Sequence, residues 1–199
     1  MRFSIKYSIA KLQITLRKKR NIGHFYYFWL LIFNMNIVIR PFSFDDLPAI
    51  LDIVNYHILH TTAVYDYDAR TIDQQRTILQ EKLDKNFPFL VAQVDEKIVG
   101  FGTYGEFRFK KAYQFTAEHS VYINKDFHGI GIGKLLLSNL IAIAKNRKIH
   151  TLVAVIDSEN SGSVDFHKKF GFETIGVIKQ SGYKFDKWLD SVLMQLLLN

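Results

Sequence analysis

The stretch Ser120-Val121-Tyr122-Ile123-Asn124-Lys125-Asp126-Phe127-His128-Gly129-Ile130-Gly131-Ile132-Gly133-Lys134-Leu135 decides the fold. It opens on a β-branched and aromatic run and crosses a short polar loop. It then passes three alternating glycines and enters an amphipathic helix. Glycines at a helix start let the backbone approach a ligand closely, and the N–H groups of the first turn have no acceptor within the helix. Together they form a cradle for a diphosphate. Two common phosphate loops do not fit. A Walker A loop, G-x-x-x-x-G-K-[ST], needs glycine at 128 and Ser or Thr at 135, where the chain has His128 and Leu135. The dinucleotide fingerprint G-x-G-x-x-G fails on spacing, because the glycines stand at 129, 131 and 133. It fails on topology too, because the preceding strand is not the first of the chain.

The flanking sequence alternates strands and helices. Ile37 to Arg40 reads as a short β-branched strand, and Ser43 offers an N-cap with Asp45 and Asp46 placed to suit the helix dipole. Leu47, Ile50, Leu51, Val54 and Ile58 make a helical stripe over about 46–60. A loop follows over 61–70, after which Thr71 and Gln74 form a capping box for a second helix to about Lys85. Phe89–Val94 and Ile98–Phe107 read as a hairpin around Asp95-Glu96-Lys97, and Tyr113–Ile123 as the next strand. Beyond the glycines come a helix from about Gly131 to Lys145 and a run at Thr151–Ile156 suited to burial on both faces. A helix through Val164–Phe170 and strands near Phe172–Ile178 and Trp188–Leu197 close the chain. The class is α/β with a mixed sheet.

Composition narrows the chemistry. The chain has 199 residues, 48% hydrophobic, a length that suits one domain with a proper core. It has no cysteine, which excludes disulfides, thiolate metal or redox sites and a cysteine nucleophile. His24, His57, His60 and His150 show no ligand spacing, so no metal is expected. No apolar run reaches the 18 or so residues of a membrane-spanning helix. The net charge is +7, and Arg2, Lys6, Lys11, Arg17, Lys18, Lys19 and Arg20 account for all of it. Residues 35–199 hold the other 19 basic side chains and all 19 acidic ones, so the domain is balanced and no nucleic-acid partner is expected. The first 34 residues, basic and then apolar through Phe25–Phe33, admit three readings. They lie upstream of a true start at Met35, they form an interfacial membrane anchor, or they are a structured appendage.

His128-Gly129-Ile130-Gly131-Ile132-Gly133 resembles the (Q/R)-x-x-G-x-(G/A) pyrophosphate loop of the GCN5-related N-acetyltransferases, with His128 departing from the usual Gln or Arg. The neighbouring blocks extend the likeness: Glu118-His119-Ser120-Val121-Tyr122 before the loop, Asn160-Ser161-Gly162-Ser163 after it, then His167 to Phe172 (HKKFGF). With Gly182-Tyr183-Lys184 and Trp188-Leu189-Asp190, the chain is similar to the phosphinothricin / methionine sulfoximine N-acetyltransferase branch. The resemblance runs collinearly over residues 36–199.

It implies a domain over 35–199 with a mostly antiparallel sheet of about six to seven strands, a splayed central pair and flanking helices. It implies acetyl-CoA as co-substrate and direct transfer to a small-molecule amine in a cytoplasmic homodimer, with membrane contact only through residues 1–34. Val121, Tyr122 and Ile123 would pair with pantetheine. Gly129, Ile130, Gly131, Ile132, Gly133 and Lys134 would hold the pyrophosphate, and Asn160 and Ser163 the pantetheine arm. Glu118 is the candidate general base and acceptor contact, His167 the candidate proton donor to the thiolate. An amino-acid-like acceptor also needs a cation, for which Arg108 is best placed and Lys111 next; Tyr65 is a candidate wall of its pocket. Two other readings stay open: the same fold acting on a protein N-terminus, polyamine or aminoglycoside, and a non-catalytic acyl-CoA sensor.

Overall fold

The computed structural model describes residues 36–198 together with the backbone of a two-residue strand at Phe3–Ser4. Apart from that pair, the leader over 1–34 and the candidate start at Met35 lie outside the described residues. The strands are β1 (Phe3–Ser4), β2 (Ile37–Pro41), β3 (Phe89–Val94), β4 (Lys97–Glu106), β5 (Thr116–Ile123), β6 (Thr151–Asp157), β7 (Glu173–Lys184) and β8 (Lys187–Leu197). The helices are α1 (Leu47–His60), α2 (Ile72–Asp84), α3 (Ile132–Asn146) and α4 (Ser161–Lys168). One sheet runs in the order β1-β2-β3-β4-β5-β6-β8-β7. Every neighbouring pair is antiparallel except β5 with β6. The expected sheet of six to seven strands is present, and the eighth is the short β1 laid on β2.

Alternation along the strands splits the core in two. Leu90, Ala92 and Ala117 join Leu136, Leu137 and Leu140 of α3 on one face, while Phe89, Val91 and Phe101 join Ile50, Val54 and Ile58 of α1 on the other. Truncating a fully buried leucine such as Leu140 to alanine costs about 2–5 kcal/mol. The capping box expected at Thr71 and Gln74 forms, with Gln74 N–H donating to Thr71 Oγ1 and Thr71 N–H to Gln74 Oε1.

Three boundaries differ from expectation, each for a local reason. β5 starts at Thr116 because Lys111–Tyr113 forms a 3-10 turn. α4 starts at Ser161, three residues before the Val164 start of the helical stripe, because the Asn160 side chain accepts from Ser163 N–H, in keeping with Asn160-Ser161-Gly162-Ser163 as a helix opening. β7 extends to Lys184 through an irregularity between Ile178 and Gly182, where Gln180 has φ 51° and its N–H donates to Asp190.

The sheet also opens at its centre. β5 pairs with β6 only through Thr116, Ala117 and Glu118, opposite Thr151, Leu152 and Val153. β4 continues to pair with β5 as far as Ile123, and β8 with β6 as far as Asp157. The two central strands therefore part just beyond Glu118, leaving a V with an unpaired inner edge on each arm.

Candidate active site

The glycine loop closes the wide end of the V. Gly129 and Gly131 have φ of 79° and 91°, and a Cβ at either would meet nothing within 4 Å. Glycine is required there by backbone conformation, not by crowding. Gly131 is the N-cap of α3, so the first-turn N–H groups emerge beside the V. The Ile132 side chain is buried in the core, so only its backbone belongs to this cradle, and Lys134 is exposed. His128 turns back onto β5: its Nε2–H donates to the Ile123 carbonyl at 3.1 Å. His57 of α1 donates to the same oxygen at 3.0 Å. A carbonyl only accepts, so both rings carry their proton on Nε2 at these bonds. Burial holds the His57 pKa below the ordinary histidine range despite that bond.

A cleft of about 610 Å³ follows the V. Among its walls are Glu118, Val121, Tyr122, Ile123, His128, Gly133, Asn160, Ser163 and His167, together with His57, His119, Asp157 and the loop Thr62 to Tyr65. Asn160 spends its Oδ1 on the α4 cap, which leaves its Nδ2 as a donor. Ala117 packs with the α3 side of the core, and His119 with His167 of α4; Tyr122 packs on His57 of α1. Glu118, two residues from Ser120 and four from Tyr122, shares the α1 face of β5.

Glu118 makes no hydrogen bond or ion pair among the described residues. Burial pushes its carboxyl above the usual carboxylate range, and the nearby charges of Arg108 and Lys82 pull it partly back. Lys82 of α2 reaches over Gly105, the cross-strand partner of Glu118: a Cβ on Gly105 would come within 2.5 Å of Lys82 Nζ. The ammonium donates to the Tyr104 carbonyl at 3.3 Å, and burial lowers its pKa. Arg108 is exposed and lies against the Phe107 ring, 4.3 Å from its centroid, outside the cleft wall. Lys111 is exposed in the 3-10 turn.

His119 and His167 face each other on the opposite side of β5, ring centroids 5.1 Å apart. His119 is buried with neither ring nitrogen partnered, and burial together with His167 pushes its pKa down to about 3. His167 Nδ1–H donates to the Ser163 carbonyl at 2.7 Å, and burial lowers its pKa. A neutral ring bonded this way carries a bare lone pair on Nε2. In this state His167 Nε2 can accept a proton but has none to give, whereas the expectation from sequence is a direct donor.

His57 has no metal-ligand spacing in the sequence, and Lys82, His119, Thr62 and Asp157 carry no sequence signal of their own, yet all but Lys82 line the cleft. His57 was within reach, since it continues the Ile50–Val54 stripe of α1. The others enter through contacts distant in sequence, such as Thr62 Oγ1 donating to Asp157 across 95 positions.

Residues 39–193 match the acetyltransferase (GNAT) domain family, and the chain belongs to it. More particularly, it is 36% identical over 166 residues to the L-methionine sulfoximine/L-methionine sulfone acetyltransferase of Pseudomonas paraeruginosa, spanning 83% of this chain and 96% of that protein. It is 39% identical over 162 residues to the phosphinothricin N-acetyltransferase of Alcaligenes faecalis, spanning 81% and 82%. Among solved structures, the GNAT superfamily phosphinothricin acetyltransferase of Sinorhizobium meliloti in complex with AcCoA superposes with a TM-score of 0.80 at 29% identity. That match covers 82% of this chain and 89% of the other.

Proposed function

We propose that this protein, an acetyl-CoA-dependent N-acetyltransferase by family, acetylates the primary amine of a small amino-acid-like acceptor of the methionine sulfone, methionine sulfoximine or phosphinothricin type. The observation that carries the reading is Glu118, a half-buried carboxylate without a partner where β5 leaves β6, with two cations nearby. The names of the similar proteins support the acceptor class.

The residues present suit acetyl-CoA. The N–H groups of Gly129, Ile130, Gly131, Ile132, Gly133 and Lys134 offer a diphosphate cradle, and the free inner edge of Val121–Ile123 offers backbone partners to an extended pantetheine arm. Asn160 Nδ2 and Ser163 Oγ add polar partners along that path. Acetyl-CoA supplies the activated thioester. Glu118, its pKa raised toward the working range, takes the proton of the acceptor ammonium and so frees the attacking lone pair. As the N–C bond forms, His167 Nε2 receives the second proton and returns it to the departing sulfur. Arg108 and Lys82, both close enough to act on Glu118, supply positive potential for the acceptor's carboxylate.

The same reading implies a cytoplasmic homodimer. Among the described residues no helix is long and apolar enough to cross a membrane. The outermost strand β7 leaves Ile175, Val177 and Ile178 exposed, a surface suited to a second copy; sedimentation at micromolar concentration tests this.

The functional test is thiol release from acetyl-CoA with methionine sulfone, methionine sulfoximine, phosphinothricin, spermidine and a peptide amine as acceptors. Turnover confined to the first three is expected. Turnover on spermidine or the peptide alone overturns the acceptor class, and acetyl-CoA binding with no turnover on any amine makes the chain a sensor.

A further inference from the structure

Lys184, at the end of β7, is buried, yet among the described residues no carboxylate salt-bridges it. Its ammonium donates to three backbone carbonyls: Ile58 at 2.7 Å, Thr61 at 2.9 Å and Val64 at 2.5 Å. An ammonium has three donors, and all three are used. Ile58 lies in the last turn of α1, where carbonyls lack helical partners and a cation suits the dipole. Thr61 and Val64 belong to the loop that follows. Lys184 thus ties that loop to the far edge of the sheet across 120 or more sequence positions.

The tied loop lines the cleft through Thr62, Ala63, Val64 and Tyr65. Neighbours of Lys184 on β7 shape the same wall. The Tyr65 ring rests on Gly182, where a Cβ would come within 2.5 Å of the ring, and Tyr67 Oη donates to the Tyr183 carbonyl. Lys184 itself does not line the cleft.

We propose that Lys184 is a positioning residue for the acceptor amine: by gathering the Ile58, Thr61 and Val64 carbonyls it fixes the 61–65 loop, and so sets acceptor affinity without touching either substrate. The proposal rests on the reading that the cleft beside Glu118 receives the acceptor. Its chemistry suits a compact ammonium, whose single nitrogen serves all three converging carbonyls, whereas a guanidinium spreads its donors over a plane and a thioether donates nothing.

The test compares Lys184→Met and Gly182→Ala with the wild-type full chain, using methionine sulfone and acetyl-CoA. Lys184→Met should raise the acceptor KM about tenfold or more, with kcat and acetyl-CoA affinity within about twofold. Gly182→Ala displaces Tyr65 with Lys184 intact, and should raise the acceptor KM in the same direction. Should Lys184→Met fail to fold, Lys184→Gln, whose amide has only two donors for the three carbonyls, decides: an unchanged acceptor KM overturns the proposal. In folded Lys184→Met, a lower melting temperature with an unchanged acceptor KM reduces Lys184 to a structural tie and overturns it as well. Amide hydrogen exchange separates this inference from the function beneath it. If the wild type does not acetylate methionine sulfone, the acceptor reading has failed and exchange decides alone. Faster exchange confined to 61–66 in Lys184→Met supports the tether, and unchanged or uniformly faster exchange overturns it.

Discussion

The two walls of the cleft are built by different physics. On the cofactor side, the elements are contiguous in sequence and the contacts are backbone: positive-φ glycines, the start of α3, and a strand edge left unpaired by the splay. On the side proposed for the acceptor, a loop without regular structure is held by side chains from the far end of the chain. Lys184 binds three of its carbonyls, Asp157 takes the Thr62 hydroxyl, and Ser191 lies 3.3 Å from the Tyr65 hydroxyl. The contrast teaches where such a fold can change. Backbone recognition, as proposed for the glycine loop, would tolerate side-chain drift such as His128 in place of Gln or Arg, whereas the proposed acceptor wall could be retuned through a few tethers while the cradle stays put.

Glu118 stands at the seam between the walls, so its loss gives the largest expected effect. Glu118→Gln should lower kcat/KM for the acceptor by about 10²–10⁴ while acetyl-CoA affinity stays put. The stability effect has the opposite sign. A carboxyl whose native pKa is raised by burial favours the protonated fold, and its ionisation opposes folding as pH rises above the ordinary carboxylate pKa. Glu118→Gln should therefore melt at an equal or higher temperature at neutral pH, checked by calorimetry. An inactive variant that is also less stable would move Glu118 into the scaffold.

A smaller effect should break the cofactor wall alone. Gly131→Val places a β-branched residue at φ 91°, a strain of about 1–3 kcal/mol that corresponds to about a 5- to 150-fold loss of acetyl-CoA affinity. Acceptor KM at saturating acetyl-CoA should change little, the mirror image of the Lys184→Met result. If both variants moved both constants equally, the walls would be one unit. The smallest effect belongs to Lys134, exposed at the start of α3: Lys134→Ala should weaken acetyl-CoA by no more than about fivefold, and less at high salt.

Acid should strain the molecule through histidines on both faces of β5. His57, His119 and His167 all have pKa values depressed by burial, His119 to about 3. The unfolded chain then binds more protons than the native one below about pH 6.5, so stability should fall as pH drops through that value. Melting temperatures between pH 8 and 4 check this, and replacing His119 by Gln should flatten the decline.

These two walls were not equally legible in the sequence. The cradle could be read because its signals are local: glycines at 129, 131 and 133, a strand before and a helix after. Glu118 could be read because it precedes them on the same strand. His167 is legible as a candidate site residue but its free Nε2 lone pair is not, since its protonation depends on the Ser163 carbonyl and on burial. The acceptor wall stayed hidden because its bonds join Lys184 to Ile58 and Thr62 to Asp157, pairings that no spacing announces. Arg108 shows the reverse, a charge in a suggestive place whose side chain lies on Phe107 outside the cleft wall, acting on Glu118 through its field.

The most direct measurement is the pH dependence of kcat/KM for methionine sulfone, in the wild type and in Glu118→Gln, at saturating acetyl-CoA. The wild-type rate should rise with pH through an acid limb above the ordinary glutamate pKa, because only ionised Glu118 accepts the ammonium proton. In Glu118→Gln that limb should vanish and the rate fall by about 10² or more. An unchanged limb with activity near that of the wild type would contradict the assignment of Glu118 as the base.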